Sequence, residues 1–206
     1  MITKPSFISD EGMLVNRLFE SGVDRVHIRK PGASSDEHRR LIEEIDSKWH
    51  ERLSLHDCHE LALEYGCGIH LNGRNPNPPS STGEASVVLS ASCHSLTEVE
   101  LRKQTCDYVF LSPVFDSISK QGYRSAFSAD DIRKAAQSGI IDSRVIALGG
   151  ISLDNLELVK NMGFAGAAML GEVWKNVTLF CRSLRQTHLG RTTATPWRWD
   201  RCALWC

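Results

Sequence analysis

Arg29, Ser92 and Lys120 are residue types that bind anions; Arg29 and Ser92 stand just beyond short apolar runs, and Lys120 lies in the polar loop that follows another. Guanidinium and ammonium groups supply positive charge and serine hydroxyls supply donors, so their convergence would form an anion-binding pocket. The pattern recurs along the chain. Arg29 is accompanied by His27 and Lys30, His56 precedes Asp57, and His70 precedes Asn72. Ser90 and His94 flank Ser92, and Ser112-Pro113 leads on to Ser117, Ser119 and Lys120. Each histidine taken singly reads more readily as a core or rim residue than as a catalyst. Asp57 is the one carboxylate immediately after an apolar run and so the candidate metal ligand. An aspartate there equally suits a helix cap, and a lone carboxylate holds Mg²⁺ only with further oxygens.

A second signal is glycine. Arg144-Val-Ile-Ala-Leu-Gly-Gly-Ile151 is followed by Gly163-Phe-Ala-Gly-Ala-Ala-Met-Leu-Gly171, with a helix-like segment from Leu153 to Asn161 between them. Glycine at a strand end lets backbone N–H groups approach an anion closely. Either glycine group alone reads as a plain βα turn, but as a pair Gly149 and Gly150, with Leu170 and Gly171, predict a phosphate cup at the ends of two neighbouring parallel strands, as after strands seven and eight of a (β/α)₈ barrel.

The elements that must position these residues alternate. Strands are predicted at 1–4, 25–28, 52–55, 68–71, 85–90 and 107–111, followed by the two glycine-terminated runs. Helices are predicted at 11–21, 36–49, 58–65, 95–103, 129–137, 153–161 and 172–185. The proline-bearing segment 72–83 reads as a loop. Strand–helix alternation implies a parallel sheet, and eight repeats imply closure into an α/β (β/α)₈ TIM barrel of one domain over residues 1–185. An open doubly wound sheet is weakened by the lack of a Gly-x-Gly-x-x-Gly after the first strand.

Composition narrows the partners. The 24 Lys and Arg nearly balance the 25 Asp and Glu, so the overall field gives no reason to expect nucleic acid or membrane. No signal-peptide pattern or bilayer-length apolar run is present, and a cytoplasmic location is expected. The seven cysteines are scattered and odd in number, against both a disulfide framework and a structural zinc site. Residues 186–206 read as a C-terminal extension. Disorder is the first reading of it, although Trp197, Trp199 and Trp205 favour docking on a surface, with a homo-oligomer contact and a tail laid across the barrel bottom both open.

Five stretches in order carry a family resemblance: Leu55-His-Asp-Cys-His-Glu-Leu-Ala62, Gly68-Ile-His-Leu71, Ser92-Cys-His94, Asp107 to Phe115 with Ser117 to Lys120, and Ala147-Leu-Gly-Gly-Ile151. Over about residues 1–185 the chain resembles thiamine phosphate synthase and its relative, the TenI-type thiazole tautomerase. The resemblance implies a transferase that joins an aminopyrimidine diphosphate to thiazole phosphate and releases pyrophosphate, with Mg²⁺. Pyrophosphate would leave first, and the thiazole nitrogen would capture a stabilised pyrimidine cation. By position, Arg29, Ser92 and Lys120 would hold the pyrophosphate and Asp57 would ligate Mg²⁺. Ser117, Ser119, Gly149, Gly150, Leu170 and Gly171 would hold the thiazole phosphate.

The chain departs from the family pattern at several positions. His27 stands for a glutamine that reads the pyrimidine, His56 for an asparagine, Pro31 for a lysine and Asn75 for a second metal-binding aspartate. Lys30 and His56 are the candidates to compensate. The tautomerase's catalytic histidine falls at Pro113. A tautomerase, or a non-catalytic protein that binds thiazole phosphate or thiamine phosphate, is the alternative.

Overall fold

The computed structural model describes residues 1–80, 87–116 and 127–189. Seven parallel strands lie side by side in chain order: β1 (Val26–Ile28), β2 (Leu53–Leu55), β3 (Gly68–Leu71), β4 (Leu89–Cys93), β5 (Tyr108–Leu111), β6 (Val145–Leu148) and β7 (Gly166–Ala168). The helices are α1 (Glu11–Glu20), α2 (Ser35–Glu43), α3 (His59–Tyr65), α4 (Leu96–Arg102), α5 (Ala129–Gln137), α6 (Leu156–Asn161), α7 (Gly171–Lys175) and α8 (Val177–Leu189). The alternation read from the sequence is therefore present, as an α/β fold built on a curled sheet.

Strand residues alternate between two environments, as side chains on a pleated strand must. Val26, Ile28, Leu53, Leu55, Ile69, Leu71, Val109, Leu111, Val145 and Ala147 pack into the main core with the buried faces of the helices. The opposite face holds a smaller apolar cluster of Ile2, Tyr108, Phe110, Ile146 and Ala168. His27, Ser54, His70 and Ser90 share that phase, are buried, and bond to one another or to Tyr108. One side of the concave surface is thus apolar and the other polar.

The predicted first strand is reduced to a single bridge. Ile2 pairs with His27, its N–H bonds Met169 O at 2.9 Å, and Thr3 N–H bonds His27 O at 2.9 Å. Residues 1–3 thus touch both β1 and the residue after β7.

Local chemistry sets most boundaries. Ser34 with Glu37 and Ser128 with Asp131 form reciprocal capping boxes that start α2 and α5. The predicted helix 36–49 stops early, and a 3₁₀ turn over Ser47–Arg52 brings Trp49 onto Phe19, ring centroids 5.1 Å apart. Burying an aromatic pair outweighs continuing a charged helix. The predicted helix 172–185 is broken at Asn176, where φ is −159°, so α7 and α8 are separate, and α8 runs beyond the expected domain boundary. Strand β4 lies four residues later than predicted at its start. The apolar run Val87-Val88-Leu89 is not the strand's centre, because the inward positions Ser90 and Ser92 are polar and serve His70. Among the described residues no helix is long and apolar enough to cross a membrane.

Candidate active site

The C-terminal ends of β1, β2, β3 and β4 bring Arg29, Asp57, Arg74 and Ser92 to one rim. Asp57 does not cap α3, whose N-cap is Cys58 in the left-handed region (φ 53°) with no side-chain cap bond. Its carboxylate instead accepts from Arg74, Nε to Oδ1 at 3.2 Å and Nη2 to Oδ1 and Oδ2 at 3.0 and 3.2 Å. Asn75 Nδ2 donates to the same Oδ1 at 3.2 Å and to His56 O at 2.9 Å. Asn72 Nδ2 also bonds His56 O, at 2.7 Å. Arg29 is half-buried; burial and the neighbouring Arg74 push its guanidinium below the usual arginine value, and Asp57 opposes them. Arg74 pairs with the one carboxylate and Arg29 lies within its field, which leaves an excess positive charge suited to an anion.

The same neighbours decide the fit of Mg²⁺ at Asp57. Magnesium needs oxygen acceptors, commonly one or two carboxylates plus substrate phosphates. Here the single carboxylate is met by a guanidinium on both oxygens and an amide NH₂ on one, and Asn75 replaces a second carboxylate. This donor set does not fit the expected Mg²⁺ site. Arg74 was not singled out in the sequence, although it is a charged residue three positions past a strand and beside Asn75.

Lys30 is the clearest correction among the expected compensating groups. Its ammonium lies 2.7 Å from both Glu11 oxygens and 2.9 Å from the carbonyls of Lys4 and Ser6, fully buried. It pins the segment before α1 and, wholly buried on Glu11, offers no charge to a solute at the rim. Pro31 adds no donor there.

His27 and His56, expected to contact substrate, are buried below the rim at 2% and 4% exposure. His27 Nδ1 lies 3.1 Å from His56 Nε2, and its Nε2 lies 2.8 Å from Tyr108 OH. The His56 and His70 rings stack at 4.0 Å. His70 bonds Ser90 Oγ through Nδ1 and Ser92 Oγ through Nε2, both at 2.8 Å. Burial holds all three imidazoles neutral: His70 is pushed down to about 3, and His27 and His56 lie well below the ordinary value. Arg29 and Arg74 add to the shift at His56. Tyr108, a third partner of this interior set, was legible only as an inward position of a strand.

Gly149 (φ 95°) and Gly150 (φ 64°) follow β6, both in the left-handed region. A Cβ on Gly149 would lie 2.8 Å from Pro113 Cα, and one on Gly150 would lie 2.5 Å from Asp116 O. Glycine is thus demanded by the close approach of the loop after β5, whose Val114 and Phe115 N–H groups bond Leu148 O and Gly149 O. Leu170 is the N-cap residue of α7 and Gly171 its first residue, beyond β7 as predicted. Ser117, Ser119 and Lys120 lie outside the described residues, as does the tryptophan-bearing tail from residue 190. His94 is exposed, with Nδ1 2.9 Å from Ser112 O.

Residues 1–173 match the family described as thiamine monophosphate synthase. The thiamine-phosphate synthase of Syntrophomonas wolfei is 26% identical over 198 residues, covering 90% of this chain and 93% of that one. That of Limosilactobacillus fermentum is 27% identical over 169 residues, covering 77% and 78%. Among solved structures, a thiamine phosphate pyrophosphorylase from Bacteroides thetaiotaomicron is similar at a TM-score of 0.80 and 37% identity, covering 91% of this chain and 93% of that one. One from Pyrococcus furiosus, at a TM-score of 0.67 and 24% identity, covers 92% and 95% and shares the fold.

Proposed function

The chain belongs to the thiamine monophosphate synthase family, and from that premise we propose that it joins a hydroxymethylpyrimidine diphosphate to thiazole phosphate. The observation that carries the reading is the shared rim: Arg29, the Arg74–Asp57 pair and Ser92 stand at the same ends of four adjacent strands, β1 to β4. In the reaction, the bond between the pyrimidine's methylene carbon and a diphosphate oxygen breaks, and pyrophosphate leaves with the electron pair. The thiazole nitrogen then forms the new C–N bond. Because no protein nucleophile is needed, positioning and charge stabilisation are the protein's share.

Arg29 and Arg74 supply the positive charge that favours departure of the diphosphate, with Lys120 as a further cation. Ser92 is held by its bond to His70. The thiazole phosphate sits across the rim, at Gly149, Gly150, Leu170 and Gly171, and the family resemblance adds Ser117 and Ser119 as its ligands. The bonds of Ile2 to β1 and to the residue after β7 support a further reading, a closed (β/α)₈ barrel whose eighth stave is residues 1–3.

The test is incubation with both substrates, following thiamine phosphate and pyrophosphate together. Equal amounts of the two products support the transferase. Saturable binding of thiazole phosphate without either product supports instead a binding protein, the second reading that the buried Lys30 and the substituted Asn75 favour. The tautomerase reading is disfavoured by Pro113, which packs on Gly149 where that chemistry would need a histidine.

A further inference from the structure

We propose that His27, His56 and His70 bind one divalent transition-metal ion, of the Zn²⁺ type, in the interior beneath the rim. One ring nitrogen from each histidine lies within 4.8 Å of the others, and all three residues are buried. His27 Nδ1 and His56 Nε2 are 3.1 Å apart. Two nitrogens on a tetrahedral ion with bonds of about 2.0–2.1 Å are about 3.3 Å apart, so this pair already has the spacing of two ligands. Imidazole nitrogen suits zinc, copper, iron or nickel, not magnesium or calcium, and three histidines leave a further position open.

Around His70 and His27 the hydrogen bonds are those that metal-bound histidines require. A ligating imidazole donates its other N–H to an oxygen, which fixes the ring and the tautomer. Ser90 Oγ donates to Ile69 O at 3.2 Å, so it accepts from His70 Nδ1–H, and His70 Nε2 carries the lone pair. Ser92 Oγ, 2.8 Å from that Nε2, is the group that rotates aside or becomes a fourth donor. Tyr108 OH, at 2.8 Å, is the corresponding oxygen for His27 Nε2, which leaves Nδ1 to face His56. Asn72 and Asn75 both hold the carbonyl of His56 and so fix its backbone. On the His27 side, a cavity of about 320 Å³ is lined by His27, Tyr108 and Phe110 together with Met1 and Arg25.

The site takes nothing from the Asp57 carboxylate but shares Ser92 with the rim, so its test reads metal uptake and not transfer. The test uses the full chain without a polyhistidine tag, stripped with chelator and titrated with Co²⁺. We expect one equivalent to bind with visible d–d bands of a four- or five-coordinate ion, and Zn²⁺ to displace it. His27→Gln and His56→Asn keep hydrogen-bonding side chains but remove a ligand. Each is expected to weaken Co²⁺ binding by more than the roughly 10–100-fold that Tyr108→Phe, which removes only a ligand's partner, would cost. Uptake well below one equivalent, uptake unchanged in both variants, or a near-ultraviolet thiolate band pointing to cysteine would each overturn the proposal. Should the variants not fold, X-ray absorption of the Zn²⁺-loaded wild type decides. Three imidazoles in the coordination shell are expected, and fewer than three, or any sulfur, counts against the site.

Discussion

The Lys30 ammonium sits 2.7 Å from both carboxylate oxygens of Glu11, and both side chains are almost wholly buried, at 0% and 2% exposure. Burial alone would push Lys30 down and Glu11 up, and their mutual contact opposes both shifts. The pair and the two carbonyls on the ammonium hold residues 4–11 against β1. Glu11→Gln is expected to cost about 3–5 kcal/mol, because it strands a buried cation. Adding Lys30→Met should restore part of that loss even though two carbonyls lose their donor. Urea unfolding of the single and double variants measures this, and strictly additive losses would show that the two groups are uncoupled.

Arg74 carries the charge that a metal would otherwise bring to Asp57. Arg74→Ala is expected to weaken inorganic pyrophosphate by about 1.5–3 kcal/mol, roughly ten- to a hundredfold. In the wild type, calorimetric affinity for pyrophosphate should be similar in EDTA and in Mg²⁺. An affinity that needs Mg²⁺ and ignores Arg74 would return Asp57 to the role of metal ligand.

The three interior histidines make stability depend on pH. Their folded values lie below the unfolded value of about 6.5, with His70 at about 3, so the unfolded chain binds more protons in between. Stability is therefore complete above about pH 6.5 and is lost as pH falls below it, the His70 share continuing down to about pH 3. Each histidine that stays neutral adds a slope of up to about 1.4 kcal/mol per pH unit. The facing guanidiniums of Arg25, Arg29 and Arg74 reinforce the sign. Unfolding in EDTA between pH 5 and 7.5 should show a shallower slope for His70→Asn than for wild type; equal slopes would refute the assignment.

Gly150 is the glycine with the least room. Its left-handed backbone and the 2.5 Å approach of a would-be Cβ to Asp116 O predict that Gly150→Ala loses at least about 2 kcal/mol. The displaced loop after β5 should also weaken thiazole phosphate. A denaturant melt and a ligand titration separate the two effects, and a stable variant with unchanged binding would remove Gly150 from the cup.

Much of the fold was legible because its signals are local. Helix α5 begins and ends where its capping serine and amphipathic period place it, and β3 matches residue for residue. Strand β4 was misplaced because apolar content was taken as the marker, whereas its inward residues answer to a histidine on the neighbouring strand. Arg29 and Asp57 were found from their places after strands, whereas Ser92, expected beyond its strand, lies within β4. Arg74 was missed since its segment read only as a loop, and Lys30 was assigned to the rim because charge next to Arg29 does not show which way a side chain turns.

Strand–helix alternation, the glycine-ended strands and the family were set by the sequence itself, since hydrophobic period, caps and turn residues act over a few positions. The partners of the polar side chains were decided by the tertiary structure. His27 meets His56 across 29 residues and Tyr108 across 81. Such pairings depend on which strands lie side by side and in what register, and on burial that makes each neutral nitrogen find a partner. That packing buried Lys30 on Glu11, set Arg74 on Asp57, and gathered three separate histidines into one interior cluster.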